Sequence, residues 1–295
     1  MKNVKFNLER KYIYMQILKQ CADLLYRISP RCYYSVRYFC VRKEWPNFTY
    51  PTNLSEFLLS EMLKPEFKRF ADYADKIKVR QYVINKGFPF ILPKLYGIWD
   101  TAQEIDFEML PNKFALKVNN GCGHHILCKD KRELAIPQTR WILNKLIRKP
   151  YSIREPHYPY ITPKIYAEEL IECENNPSLT DYKFMCVKGK IECILVCSNR
   201  SSDFHRIDRV TVDKTWKPLP WIIGSSKFPL PPRPKHLEEM NHIAESLSAD
   251  FDFVRVDLYD TGKQVYFGEL TFTPNSSLLT FWTKEAITEM VKNLK

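Results

Sequence analysis

Residues 253–259 read FVRVDLY and residues 265–271 read VYFGELT, and these two runs say most about how the chain folds. Both are rich in β-branched and aromatic residues and flank a polar turn, so they predict the two strands of an antiparallel hairpin. Each strand carries one carboxylate, Asp257 or Glu269, among residues that favour burial. Because an unpaired buried carboxylate is costly, the two acids need a cation. Hard cations such as Mg²⁺ bind carboxylates together with phosphate oxygens.

Alternation along this hairpin gives each acid a polar neighbour. Side chains two residues apart share one face of a strand, so Arg255 lies beside Asp257 and Thr271 beside Glu269. A guanidinium next to two carboxylates forms either a structural salt-bridge cluster or a reaction site. In such a site the arginine would neutralise a transferring phosphate while the acids hold metal. The hairpin alone leaves both interpretations open.

Charge and composition narrow the class of partner. The chain has 295 residues and a net charge of +11, which indicates a nucleotide, an acidic polysaccharide, a nucleic acid or a membrane headgroup. No zinc-finger, RNP or helix-turn-helix motif is present, so we expect no nucleic acid. The nine cysteines include no Cys-x-x-Cys pair, which predicts a reducing compartment and a cytoplasmic protein. No apolar run approaches the roughly 18 residues of a membrane span.

Residues 1–45 mix basic residues with Tyr, Leu, Ile and Phe, and they predict one or two amphipathic helices broken near Pro30. The apolar face either packs on the main body or makes a peripheral contact with the inner face of an anionic membrane. We favour packing, since apolar helix faces usually belong to a core.

The rest of the chain predicts a mixed α+β fold with antiparallel hairpins. Hairpins are expected over residues 113–128 and 182–198, and further strands over 92–98 and 164–170. Helices are expected over 53–70, 76–86, 138–148 and 237–247. Residues 214–234 contain six prolines and predict no regular structure.

Lys117 stands at the end of a predicted strand, and the loop that follows contains Gly121 and Gly123. An ammonium and several backbone N–H groups around one concavity suit phosphate oxygens. The spacing is not that of a Walker motif. A plain hairpin turn with a solvated lysine remains the alternative.

A second polar group follows an apolar strand at residues 165–167. Glu168, Glu169 and Leu170 end that strand, where backbone groups can hold the edge of an adenine. Asp181 and Lys183 then share one face of the next strand. Asp181 suits ribose hydroxyls and Lys183 suits phosphates, whereas a plain surface ion pair is the simpler interpretation.

Taken in order, these motifs resemble the ATP-grasp superfamily. The matching features are Asp75-Lys76 opening a helix, Lys117 with its glycine loop, the Glu168–Leu170 segment, and Arg255, Asp257 and Glu269. The closer resemblance is to the TupA-like ATP-grasp family, named for teichuronopeptide biosynthesis. It rests on DYKF at 181–184, RVDLY at 255–259 and GELTFTP at 268–274. The resemblance runs from about Asn53 to the end of the chain.

This resemblance implies two α+β lobes whose antiparallel sheets clasp ATP and Mg²⁺, preceded by the N-terminal helical segment. The corresponding units are residues 46–110 as an N-terminal lobe, 111–170 as an ATP-binding lid and 171–295 as the catalytic lobe. Nucleotide contacts are expected from Lys76, Lys117, Gly121, Cys122, Gly123, Glu168, Glu169, Leu170, Asp181 and Lys183. Asp257 and Glu269 are the expected metal ligands, with Thr271 as an uncertain third, and Arg255 and Lys117 are the expected catalytic residues.

The implied activity is that of an ATP-dependent carboxylate–amine ligase acting through an acyl phosphate. The resemblance points to the uronic acid of a surface polysaccharide, or of its lipid- or nucleotide-linked precursor, joined to an amino acid or other amine. His124, His125 and His205 are candidate general bases by chemistry alone. An inactive ATP-grasp-like binding module is the alternative. A glycosyltransferase ranks lower because no convincing Asp-x-Asp motif appears.

Overall fold

Antiparallel sheets organise the computed structural model, which describes residue 16 and residues 18–121, 125–148, 153–173, 179–199 and 207–294. The smaller sheet contains β1 (Leu95–Trp99), β2 (Phe114–Val118), β3 (His125–Cys128) and β4 (Ile165–Glu168), in the spatial order β1-β4-β2-β3. The larger sheet contains β5 (Asp181–Val187), β6 (Lys190–Ser198), β7 (Asp208–Val212), β8 (Pro218–Leu219), β9 (Phe253–Asp260) and β10 (Val265–Thr271). Its order is β10-β9-β5-β6-β7-β8.

The helices surround these sheets. They are α1 (residues 18–28), α2 (Pro30–Arg42), α3 (Leu54–Met62), α4 (Ala71–Ala74), α5 (Val79–Asn85), α6 (Ile136–Ile147), α7 (Leu237–Ser248) and α8 (Lys284–Lys292). Short 3₁₀ turns occur at Pro65–Phe70, Pro89–Ile91, Ala102–Glu104, Lys131–Glu133, Tyr158–Tyr160 and Ser225–Lys227. Pro274–Ser277 forms a turn with left-handed backbone at residues 275–277. None of the described helices is both long and apolar enough to cross a bilayer.

The larger sheet buries different residues on its two faces. One face packs against α7 and the N-terminal helices through Phe184, Val254, Val256 and Leu258. The opposite face packs against α3 and α8 through Met185, Val187, Leu195 and Phe253. Alternation places Asp181, Lys183, Arg255 and Asp257 on this second face, where the sheet borders a cleft. The smaller sheet has its own core with α6, which includes Phe114, Leu116, Leu143 and Ile165.

The N-terminal helices belong to the body of the protein. Tyr33, Tyr34 and Tyr38 of α2 are buried in the main core. The break near Pro30 is confirmed within the described residues, where the Ser29 side chain caps α2 and Pro30 occupies its first turn. Residues 1–15 of the predicted helical segment lie outside the described residues.

The predicted hairpins at 113–128, 182–198 and the C-terminus are all present. The helix expected over 53–70 ends at Met62 and gives way to a 3₁₀ turn at Pro65, because proline cannot donate the helical hydrogen bond. Strand β8 lies within the segment expected to be irregular, and β7 and α8 were not predicted. Strand β1, from the segment assigned to the N-terminal lobe, pairs with β4 in the smaller sheet.

Candidate active site

A cleft of about 280 Å³ lies between the two sheets. The smaller sheet and its loop contribute Lys117, Val118, Gly121, His125 and Tyr166. The larger sheet contributes Asp181, Lys183, Arg255, Asp257, Tyr259, Phe267, Gly268 and Glu269. Lys76 and Ile171 complete the lining. Nine residues that sequence analysis singled out therefore line one cavity: Lys76, Lys117, Gly121, His125, Asp181, Lys183, Arg255, Asp257 and Glu269.

The two carboxylates of the C-terminal hairpin face each other across β9 and β10, because Glu269 pairs directly with Asp257. Arg255 binds both. Its Nε donates to Asp257 Oδ1 at 2.6 Å, and its Nη2 donates to Asp257 Oδ2 at 2.7 Å and to Glu269 Oε1 at 3.0 Å. Oxygens of both acids thus converge on one position that a positive charge occupies.

Lys183 supplies a second cation from β5, where it pairs directly with Asp257 on β9. Its Nζ lies 2.5 Å from Asp257 Oδ2 and 3.7 Å from Asp181 Oδ1. Burial acts to lower the pKa of Lys183, but the neighbouring carboxylates, Asp257 first, outweigh it and raise the pKa. The same balance raises the pKa of Arg255. Both side chains therefore stay charged.

Lys76 joins the glycine loop to β10. Its Nζ donates to the carbonyl of Gly121 at 2.6 Å and lies 3.2 Å from Glu269 Oε2. Burial acts to raise the pKa of Glu269, yet the charges of Lys76, Arg255 and Lys183 lower it to about 2. Glu269 is therefore an anion at neutral pH.

Gly268 allows the two strands to bring these acids together. A register irregularity lies between Phe267 and Glu269. A Cβ atom on Gly268 would stand 3.0 Å from the carbonyl oxygen of Asp257 and 3.0 Å from Cε2 of Tyr259. Only glycine permits this close approach without displacing a neighbour.

The smaller sheet offers Lys117, whose Nζ donates to Glu168 Oε1 at 2.6 Å. Glu168 is buried, and Arg80 Nη1 lies 3.7 Å from its Oε2. The Glu169 side chain turns elsewhere: it accepts hydrogen bonds from Tyr266 Oη at 3.1 Å and from the Lys94 N–H at 3.2 Å. Glu168, Glu169 and Leu170 do not themselves line the cleft, whereas Ile171 does.

The donor set fits a magnesium ion that shares its coordination with phosphate oxygens. Among the residues that the structure describes, no three His, Cys, Asp or Glu side chains form a metal-binding group. The chain itself thus offers the opposed pair Asp257 and Glu269, as expected for Mg²⁺ bound through one or two carboxylates and a substrate phosphate. Thr271 Oγ1 donates to Glu269 Oε1 at 3.0 Å and so supports that carboxylate.

Several of the expected site residues cannot be placed relative to the cleft. Cys122, Gly123, His124 and His205 lie outside the described residues, while His125 is exposed at the cleft margin. Tyr166, Tyr259 and Gly268 also line the cleft, although no site role was expected for them from the sequence. Burial raises the pKa of both tyrosines. An aromatic residue within an apolar strand gives no signal that separates a site from a core, whereas the glycine after Phe267, beside an acid, was a usable one.

Comparison with known families identifies the family of this chain. The TupA-like ATP-grasp family model matches residues 56–293. The chain belongs to the TupA-like ATP-grasp family. The match begins close to Asn53, where the predicted resemblance starts, and confirms it. The two antiparallel sheets with flanking helices are the ATP-grasp fold of this family.

Solved ATP-grasp ligases are similar to this chain at low identity. The L-amino acid ligase from Bacillus licheniformis is 13% identical, with 77% of this chain and 50% of that chain covered and a TM-score of 0.48. The D-alanine–D-alanine ligase from Bacillus anthracis is 13% identical, with coverage of 82% and 67% and a TM-score of 0.44. The ligase PsnB in complex with a minimal precursor is 10% identical, with coverage of 82% and 68% and a TM-score of 0.43.

The family member described here thus spans between 50% and 68% of the length of those three ligases. No curated protein matches its sequence.

Proposed function

We propose that this protein is an ATP-dependent carboxylate–amine ligase that forms ADP. The observation that carries the proposal is the pair Asp257 and Glu269, directly opposed on β9 and β10 at the edge of a cleft. Three lysines and Arg255 line the same cleft. Acids for a metal and cations for phosphates are the two requirements of phosphoryl transfer.

Asp257 and Glu269 would hold Mg²⁺, and Thr271 would support Glu269. When bound, the ion neutralises charge on the phosphates that are being separated. Lys76, Lys117 and Lys183 would contact the nucleotide phosphates. The backbone of residues 168–170 would hold adenine, Asp181 the ribose, and the loop 121–123 would close over the phosphates.

The reaction would take place in two steps. An oxygen of the substrate carboxylate attacks the γ-phosphorus of ATP, the bond to the β,γ-bridging oxygen breaks, and ADP leaves. The amine nitrogen then attacks the acyl carbon, the bond between that carbon and the phosphate oxygen breaks, and phosphate and one proton leave. Arg255 would stabilise charge on the transferred phosphoryl group, and the lid would exclude water.

For the substrate we propose the uronic acid of a surface polysaccharide, or of its lipid- or nucleotide-linked precursor, and an amino acid or another amine. The support is the family resemblance, together with a net charge of +11 that suits a polyanion. We propose a cytoplasmic location, since the reaction needs a supply of ATP.

A peripheral contact with the inner membrane face is a further proposal for residues 1–45. It is supported by Leu24, Ile28 and Trp45, which are 59%, 74% and 65% exposed beside basic residues. The double substitution Leu24→Glu and Ile28→Glu changes only exposed side chains and leaves the buried tyrosines of α2 in place. It should reduce pelleting with anionic liposomes, and unchanged pelleting would refute the contact.

One observation favours a second candidate, an inactive binding module. Asp257 is paired with Lys183 and Arg255, and Glu269 with Lys76 and Arg255, so the chain itself neutralises the acids. Nucleotide binding without turnover would support this module.

The test follows ADP formation by the purified protein with ATP, Mg²⁺, a panel of uronic acids and a panel of amines. We expect multiple turnovers of ADP formation only when an acid and an amine are both present, because the amine is needed to consume the acyl phosphate. Glu269→Gln should abolish this turnover while thermal unfolding shows a folded protein. Unchanged turnover in that variant would refute the metal assignment.

A further inference from the structure

A second cavity, of about 150 Å³, adjoins the cleft on the same face of the larger sheet. Lys183 and Arg255 line both spaces, so these two cations form the boundary between them. Met185, Leu195 and Trp282 give the second cavity apolar walls. A group bound there would meet the same arginine that faces the proposed phosphate site.

Arg209 of β7 lines the second cavity but not the cleft. Its guanidinium carbon lies 5.2 Å from the centre of the Phe281 ring, and the residue is half-buried. Among the described residues this guanidinium has no hydrogen-bond or carboxylate partner. Stacking on a ring leaves the N–H donors of a guanidinium available, so an anion that enters the cavity finds a prepared donor.

The segment after β10 contributes Pro274 and Asn275 to the cavity wall and has an unusual backbone conformation. Asn275, Ser276, Ser277 and Leu279 have φ values of 51°, 49°, 64° and 47°, a region that residues other than glycine rarely adopt. Arg42 holds this conformation, because its Nη2 donates to the carbonyls of Leu278 and Leu279 at 3.0 and 2.9 Å. Such strained backbone persists where surrounding contacts hold it and is frequent at ligand sites.

We propose that this cavity binds the acid substrate and that Arg209 selects substrates with a second negative group. The inference rests on the proposed function, since it places the reacting carboxylate at Arg255 and Lys183. A carboxylate or a phosphate elsewhere on the same molecule then pairs with Arg209. The substrate class is an acid with two anionic groups, and the apolar walls contact its carbon skeleton.

The test compares three probes that differ in the second group: glucuronic acid, glucaric acid and glucuronic acid 1-phosphate. Each is titrated calorimetrically into the full-length protein saturated with a non-hydrolysable ATP analogue and Mg²⁺. We expect at least one of the two probes with a second anionic group to bind about tenfold more tightly than glucuronic acid, the gain of one charge-assisted contact. The probe with the larger gain shows whether Arg209 takes a carboxylate or a phosphate.

The Arg209→Gln variant should lose this preference, whereas Arg209→Lys should keep most of it. Arg132→Gln is the matched control. The Arg132 side chain is 85% exposed in the turn after β3 and does not line the cavity, so this variant should bind the probes as the wild type does. Unchanged binding of the nucleotide analogue shows that each variant is folded.

Equal binding of all three probes, no binding of any, or a preference that survives Arg209→Gln would overturn the inference. Failure of the proposed function is measured separately, by titrating the nucleotide analogue with Mg²⁺ into the wild-type protein before any acid is added. A wild-type protein that does not bind the analogue refutes the ligase itself.

Discussion

Among single residues, Glu269 is a carboxylate that neighbouring positive side chains keep ionised in the folded protein, without a bound metal. Its side chain is 26% exposed and lies near Lys76 and Arg255. Burial acts to raise its pKa, but the surrounding cations lower it to about 2 from an ordinary value of 4.5. The folded protein thus favours the ionised form, which is the form that binds metal.

This shift predicts a pH dependence of stability. A carboxyl whose pKa is lowered on folding stabilises the protein fully above its unfolded value, and this contribution disappears as pH falls through the folded value. Between about pH 5 and pH 2 the unfolding free energy should fall more steeply for the wild type than for Glu269→Gln, because glutamine does not titrate. Urea unfolding at a series of pH values measures the difference.

Glu66→Gln serves as the control, since Glu66 is exposed. Its pH profile should follow that of the wild type. If Glu269→Gln follows the wild type as well, the ion pairs around Glu269 are not formed in solution.

At the scale of the element, the C-terminal hairpin is specialised by its irregular register. The irregularity at Gly268 brings Glu269 opposite Asp257. The two neighbours of the glycine, Phe267 and Glu269, both line the cleft. The hairpin therefore depends on a residue that carries no functional group.

We predict that Gly268→Ala costs about 1–3 kcal/mol of unfolding free energy, because the added Cβ overlaps backbone as well as the Tyr259 ring. It should also weaken Mg²⁺-dependent nucleotide binding by displacing Glu269. Denaturant unfolding and calorimetry measure the two effects.

Gly121→Ala is the matched control for stability, since a Cβ there meets no atom within 4 Å. We expect its unfolding free energy to change by less than about 1 kcal/mol. A Gly268→Ala variant as stable as this control would show that the strands can separate at the irregularity without cost.

At the scale of the whole molecule, the site exists only where the two sheets meet. Lys76 links the glycine loop to β10, and Glu169 links Lys94 to Tyr266. A ligand that fills the cleft touches both sheets, so its binding should stabilise the complete protein and not one lobe.

A non-hydrolysable ATP analogue at about 100 times its dissociation constant should add about 2.7 kcal/mol to the unfolding free energy when Mg²⁺ is present. Removing Mg²⁺ with a chelator should abolish most of this gain. Thermal unfolding with and without the chelator measures it, with the chelator alone as the control. A gain that does not depend on Mg²⁺ would contradict metal binding by Asp257 and Glu269.

The order of the residues was enough to predict the α+β class, the hairpins and most of the residues that line the cleft. A period of two assigns each residue of a strand to a face, so Arg255 could be placed with Asp257, and Asp181 with Lys183, from their spacing alone. Lys117 was found from its place at the end of a strand before a glycine-containing loop, and Lys76 through the order of family motifs. The weakly apolar β7 gave no comparable periodic signal. In α8 the buried residues Ala286, Ile287, Met290 and Val291 do recur at helical spacing, and this pattern was overlooked.

Three-dimensional packing determines which strands lie side by side and which side chains meet across them. Glu269 faces Asp257 because of an irregular register, and Lys183 faces Asp257 because β5 and β9 are neighbours. Arg209 reaches the second cavity because β7 and the segment after β10 converge there. The contacts of Lys183 and Arg209 join residues far apart in the chain. The pattern within one strand assigns its faces but does not specify which distant strand lies beside it.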